Sequence, residues 1–212
     1  MGESGTTHSI PRVRSQGQAE WSVHQTVSTF ERLRAALGAN WTTVSVGWQG
    51  LGMLSPWPDE WTGFPPLISR DEVAVYADEQ FSSCSHAAME LIVALVSHGL
   101  QCKTREEIKD LLEPLSKLDG GDPQIELRKW RVVLLEDVLA NMPTDALHGL
   151  IALTEFWQDF GFPSDSPHEV QGKGNTITPG EYYQGENLRR LVDRHRQWIE
   201  QERASLKKQR AG

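Results

Sequence analysis

Cysteine is nearly absent from these 212 residues, with only Cys84 and Cys102 present. Two cysteines so placed form neither a metal-binding spacing nor a disulfide framework. Long apolar runs are missing too. The longest strongly apolar stretch, Ala87 to Val96, is about half of what a bilayer crossing needs, so no membrane partner is expected. Positive charge is in deficit, with 21 Lys and Arg against 29 Asp and Glu and a net charge of −8. That balance argues against a nucleic-acid binder working by general phosphate attraction, and it steers basic partners toward the protein. Residues 1–19 are rich in Gly, Ser and Gln without an apolar centre, unlike a secretory signal. The expectation is a cytoplasmic protein.

What is present is helical periodicity. Residues 1–18 carry none and are expected to be a disordered arm. From Glu20 to Leu37, Val23, Val27, Phe30, Leu33 and Leu37 recur at three- and four-residue spacing, and Gly38 ends the run. Trp41 to Val46 is rich in β-branched residues and predicts a short extended segment at residues 41–46. From Gly47 to Leu67, glycines and prolines forbid regular structure while Trp48, Trp57, Trp61 and Phe64 carry apolar area. Ser69 and Glu72 form a capping box that opens a helix to about Gln80, and Thr104 with Glu107 forms another. Between them, 84–98 is apolar on almost every face and predicts a central, buried helix. Asp122-Pro123 places a cap before a first-turn proline, with Leu127, Trp130, Leu134 and Val138 as the inner stripe. Another helix carries Leu147, Leu150, Ile151, Thr154 and Trp157, and a long loop runs from Phe162 to Gly180. The last helix starts near Glu181 with Leu188, Leu191, Val192, His195, Trp198 and Ile199 in line. These elements predict a mostly α fold: an irregular multi-helix bundle or a short helical stack. Residues 19–202 form its single domain, and 203–212 are a charged tail.

Chemical motifs are mostly excluded by their incompleteness. Gly172 and Gly174 lack the third glycine and the Lys-Ser/Thr pair of a phosphate loop. His86 and Glu90 lie one helical turn apart, but no second pair completes a metal set, and a buried helix favours a hydrogen-bonded core histidine. His195, within an apolar stripe, reads as a satisfied core or boundary histidine. Glu155 and Asp159 are paired in spacing, which more often marks a solvated face than an acid/base couple. A hydrolase or nuclease using Glu155, Asp159 and Asp165, with a metal ion as its test, is the third reading in rank, and no metal, cofactor or catalytic residue is assigned.

Two segments stand out after these eliminations. In the Trp/Pro/Gly loop, Trp57, Asp59, Glu60 and Trp61 combine aromatic anchors with carboxylates, the composition of an interface hot spot. The alternative is that these tryptophans fold back to cap the bundle. In the second, from Glu155 to Tyr183, Asp165, Glu169 and Tyr182 are the binding candidates. Its alternative is a packed Ω-like loop pinned by Phe156, Phe160, Phe162 and Tyr182.

The stretch Asn40-Trp41-Thr42-Thr43-Val44-Ser45-Val46-Gly47 and later Ile68-Ser69-Arg70-Asp71-Glu72-Val73 resemble the opening of a bacterial family of unknown function. Lys129-Trp130, Ala146 to Leu153 and Asp159-Phe160-Gly161-Phe162-Pro163-Ser164-Asp165 resemble its later half. That family is similar in kind to immunity proteins encoded beside polymorphic or contact-dependent toxins. The resemblance implies a non-enzymatic inhibitor that occludes a cognate protein toxin, and the acidity suits a basic toxin. The rival is a helical adaptor or scaffold with an unrelated protein partner.

Overall fold

A computed structural model describes residues 27–50, 65–96 and 98–211. Among the described residues the secondary structure is entirely helical. The helices are α1 (Thr29–Leu37), α2 (Trp41–Gln49), α3 (Arg70–Phe81), α4 (His86–Val96), α5 (Arg105–Asp119), α6 (Pro123–Asn141), α7 (Ala146–Asp159), α8 (Pro179–Tyr182) and α9 (Gly185–Ala211), with a 3-10 turn at His98–Cys102. None is long and apolar enough to cross a membrane. The packing order runs from the α3–α4 hairpin through α5, α2 and α6 to α9 and α7, with α1 against α6 and α9.

The predicted extended segment at 41–46 is instead the most deeply buried helix of the fold. Every residue of α2 from Trp41 to Trp48 is buried, between α5 and α6. β-Branched residues cost a helix only a few tenths of a kcal/mol each, against about 1.5–3 kcal/mol gained on burying one large apolar side chain. Tertiary burial therefore overrides the local preference. The start is set by a capping box in which Asn40 accepts from the Thr43 amide and the Thr43 hydroxyl accepts from the Asn40 amide. The same hydroxyl donates to the buried Glu126 carboxylate, which also takes Lys129 Nζ at 2.8 Å. Trp130 Nε1 donates to the Thr43 carbonyl at 3.0 Å, and Trp48 Nε1 to the Arg105 carbonyl at 3.0 Å. Polar contacts thus fix α2 to α6 on one side and α5 on the other.

Other boundaries hold or shift for readable reasons. The capping boxes of α3 and α5 form as the sequence predicts, and Asp122 caps α6 ahead of Pro123. The first helix does not run from Glu20 to Leu37 as one piece. Ser28 is its N-cap, so α1 begins at Thr29, and Val27 is exposed rather than part of the stripe; residues 20–26 and the predicted arm lie outside the described residues. The expected start of the last helix at Glu181 splits into α8 and, from Gly185, α9.

Helix α9 then continues through the region expected to be a charged tail. Leu206 is buried, Arg203 pairs with Glu136 at 2.6 Å, and Arg128 Nε reaches Glu202 at 2.6 Å. Finally, α4 is not central. Ala88, Ile92 and Leu95 are buried, but Met89, Val93 and Val96 face solvent, and His86 is exposed rather than a core histidine. Both cysteines are free.

Candidate functional site

Of the seven residues singled out in the sequence, Trp57, Asp59, Glu60 and Trp61 lie outside the described residues. The other three share one loop, 161–178, and its junction with α8. Tyr182 is buried and its hydroxyl donates to the Glu169 carbonyl at 2.8 Å. Its ring pins the loop rather than offering a surface. The Glu169 carboxylate is gripped by Arg190 at 2.6 Å and by Arg194, both on α9. The Arg190 hydrogen bond first, then both guanidinium charges, holds this carboxyl below the usual range. Asp165 accepts from Arg131 Nη1 at 3.0 Å, and the Arg131 guanidinium lies over the Trp157 and Trp198 rings. Replacing Tyr182 by Phe deletes one buried hydrogen bond; a loss of about 1 kcal/mol in chemical denaturation is expected.

Beneath this loop sit two neutral histidines. His195 is fully buried, with Trp157 Nε1 donating to its Nε2 at 2.8 Å. That leaves Nδ1 to carry the proton and donate to the Leu191 carbonyl at 2.6 Å. The expected satisfied core histidine is thus what His195 is. His168 packs against it with ring centroids 5.6 Å apart. The Thr154 hydroxyl donates to the Leu150 carbonyl at 2.8 Å, so it accepts from His168 Nε2 at 2.9 Å. Phe156 and Phe160 are buried and Phe162 is half-buried, as the Ω-like alternative predicts. Gly161 and Phe162 both take positive φ, letting the chain double back so that the Phe162 amide reaches the Trp157 carbonyl at 2.8 Å. Sequence reasoning missed His168 and Arg131. Their partners lie 14 and 34 residues away, beyond any local pattern.

Glu155 and Asp159 are exposed on α7. Partial burial, then the Glu155 charge, raises the Asp159 pKa. Asp165, the third member of that set, is held by Arg131. Among the described residues no group of three or more His, Cys, Asp or Glu is placed to hold a metal ion.

Among the described residues, exposed apolar side chains gather on the α3–α4 hairpin, whose second helix, 84–98 in the sequence reading, was expected to be central and buried. Met89, Val93 and Val96 form an i, i+4, i+7 stripe on α4, with Val93 49% exposed. On α3, Val75 is 52% exposed and lies between Asp71 and Asp78 on one helical stripe; Phe81 is exposed at the helix end. Glu90 stands beside Met89 and Val93. An apolar stripe interleaved with carboxylates has the composition of a protein-binding surface. The charge is polarised as well. Residues 70–119 contain ten Asp and Glu against five Lys and Arg, whereas α9 contains four against eight. The negative charge of the described residues is thus concentrated on the α3–α5 side and the positive charge on α9.

Residues 31–203 match the family described as "uncharacterized protein conserved in bacteria" (DUF2247), and the chain belongs to that family. No curated protein and no solved structure matches it.

Proposed function

We propose that this protein is an immunity-type inhibitor that binds a basic bacterial protein toxin and neutralises it by occlusion. The observation carrying this reading is the α3–α4 face, where Val75, Phe81, Met89 and Val93 are exposed among Asp71, Asp78 and Glu90. Exposed apolar groups supply the binding energy of such a contact, and the carboxylates supply the encounter rate and the choice of a basic partner. The resemblance read from the sequence, to a bacterial family of unknown function similar in kind to immunity proteins, favours the same reading. Under this reading Trp57, Asp59, Glu60 and Trp61 form a second contact segment, with Asp165 and Glu169 held at the far end of the molecule.

The test is capture of the partner from the native bacterium, followed by expression of that partner alone and together with this chain. A partner that is toxic alone and harmless in company supports the reading. The double variant Met89→Lys/Val93→Lys then weakens binding by about 2 kcal/mol or more, since it places cations on the stripe that meets the basic surface. Association of the unmodified pair slows as salt is raised. A captured partner without toxicity sinks the immunity reading and leaves a helical adaptor. Unchanged affinity in the double variant moves the contact to the 51–64 segment, where alanine replacement of Trp57 and Trp61 decides.

A further inference from the structure

The turn end of the α3–α4 hairpin opens on a cleft of about 290 Å³, bounded by the α1–α2 link and the last turn of α5. Asn40, Trp41, Tyr76, Gln80, Cys84 and Asp119 line it. Ligand pockets run from about 300 to 1,000 Å³, so this one lies at the small end of that range and has room for one long side chain. Its lining combines aromatic rings, uncharged hydrogen-bonding groups and one carboxylate, Asp119. Trp41 and Tyr76 stand edge to face with centroids 5.0 Å apart.

We infer that this cleft receives a basic side chain, an arginine first and a lysine second, from the protein partner. Asp119 is its counter-charge, and Trp41 and Tyr76 are the aromatic wall against which a planar guanidinium packs. The inference rests on the proposed basic partner and adds to it the group that is recognised.

Three observations support the assignment. One Asp119 oxygen accepts from the Trp41 amide, which holds the carboxylate at the cleft while its other oxygen is left to bond a guest. The cations of the neighbourhood are taken by other carboxylates: Arg34 pairs with Glu79 at 2.7 Å and Lys129 with Glu126 at 2.8 Å. The field in the cleft is accordingly negative. Burial, and then the Asp119, Glu79 and Glu126 charges against Arg34, push the Tyr76 hydroxyl up to about 12. The exposed Leu118 lies at the rim, and Phe81 follows Gln80 in the chain, so the cleft adjoins apolar surface of the kind that surrounds a buried anchor in an interface.

The test uses the full chain, isotope-labelled for NMR, and N-acetyl-arginine methylamide as the probe. Its neutral isostere N-acetyl-citrulline methylamide, at matched ionic strength, is the control. Saturable shifts are expected at the Trp41 indole, Tyr76 and the amides of Ser83 to Ser85, with citrulline binding about tenfold more weakly. Asp119→Asn keeps an oxygen for the Trp41 amide while removing the charge, so the fold persists and arginine binding weakens by about three- to tenfold. Ser83→Leu, at the exposed rim, narrows the mouth and abolishes the shifts. No saturation with the arginine probe overturns the inference. So does equal binding of citrulline, or an unchanged affinity in Asp119→Asn. The two proposals fail separately: a toxin neutralised by a chain whose cleft ignores the probe removes the cleft alone. A cleft that binds the probe in a protein with no toxic partner removes the immunity reading alone.

Discussion

Replacing Trp130 by alanine is expected to lower the stability of this fold by about 3–5 kcal/mol, a large share of the 5–15 kcal/mol a domain of this kind possesses. Trp130 has no solvent exposure and stacks on Phe30 with centroids 5.9 Å apart. Its indole nitrogen donates to the Thr43 carbonyl, so truncation leaves both a cavity and an altered helix contact. The α2 side of this contact is Gly47. A β-carbon there would stand 2.9 Å from Trp130 Cε2 and nearer still to Cζ2, closer than packed atoms tolerate. Gly47→Ala alone is therefore expected to cost about 1–3 kcal/mol by overpacking, despite alanine's better helix propensity. In the Trp130→Ala background the same methyl enters emptied space, and its cost is expected to vanish or change sign. A double-mutant cycle by urea denaturation, followed by far-ultraviolet circular dichroism, measures the coupling. Strict additivity would refute a direct Gly47–Trp130 contact and with it the placement of α2 against α6.

Acidification is expected to weaken the fold from about pH 6.5 downward, where its two buried histidines begin to bind protons in the unfolded chain. Burial, then the neighbouring His195, lowers the His168 pKa from 6.5 to about 4. Burial, offset in part by the Leu191 carbonyl, lowers His195 from 6.5 to about 4. Both rings are neutral in the folded chain and readily protonated in the unfolded one. Their contribution to stability is full above the unfolded value near 6.5 and is lost as pH falls toward the folded value near 4. At the lower end the loss approaches roughly 3 kcal/mol for each ring taken alone.

The charged groups facing the pair are Arg131 with Asp165, and Glu169 with Arg190 and Arg194. Glu169, lowered by its arginines, acts at lower pH still. Urea denaturation at about pH 7.5 and about pH 4.5 measures the effect, and His195→Gln provides the control. A glutamine oxygen can accept the Trp157 indole bond without titrating, so the variant's pH profile between those values is expected to be flatter. Equal slopes in the two proteins would show that His195 is not a buried neutral base.

The segments that could be read from the sequence are those whose causes are local. Ser69 with Glu72, Thr104 with Glu107, and Asp122 before Pro123 each satisfy a helix start within three residues, and all three form. The apolar stripe of α9 and the satisfied state of His195 were legible for the same reason: period 3.6 places one histidine among leucines on one face. The pinned loop followed from the aromatics at 156, 160, 162 and 182.

Tertiary structure decided the rest. Trp41-Thr-Thr-Val-Ser-Val46 has the composition of a strand, and only burial between α5 and α6, with Trp130 bonded to Thr43 across 87 residues, makes it helical. Residues 203–211 read as a polar tail because their anchors, Glu136 and Arg128, belong to another helix. The α3–α4 surface was hidden for a related reason. Apolar side chains on both sides of α4 specify two faces that prefer contact, and periodicity alone does not say which face the chain covers itself. Helix α4 packs on α3 and α5 and buries Ala88, Ile92 and Leu95; Met89, Val93 and Val96 were left outside, because the packing order ends at that hairpin and no further helix of this chain lies beyond it among the described residues.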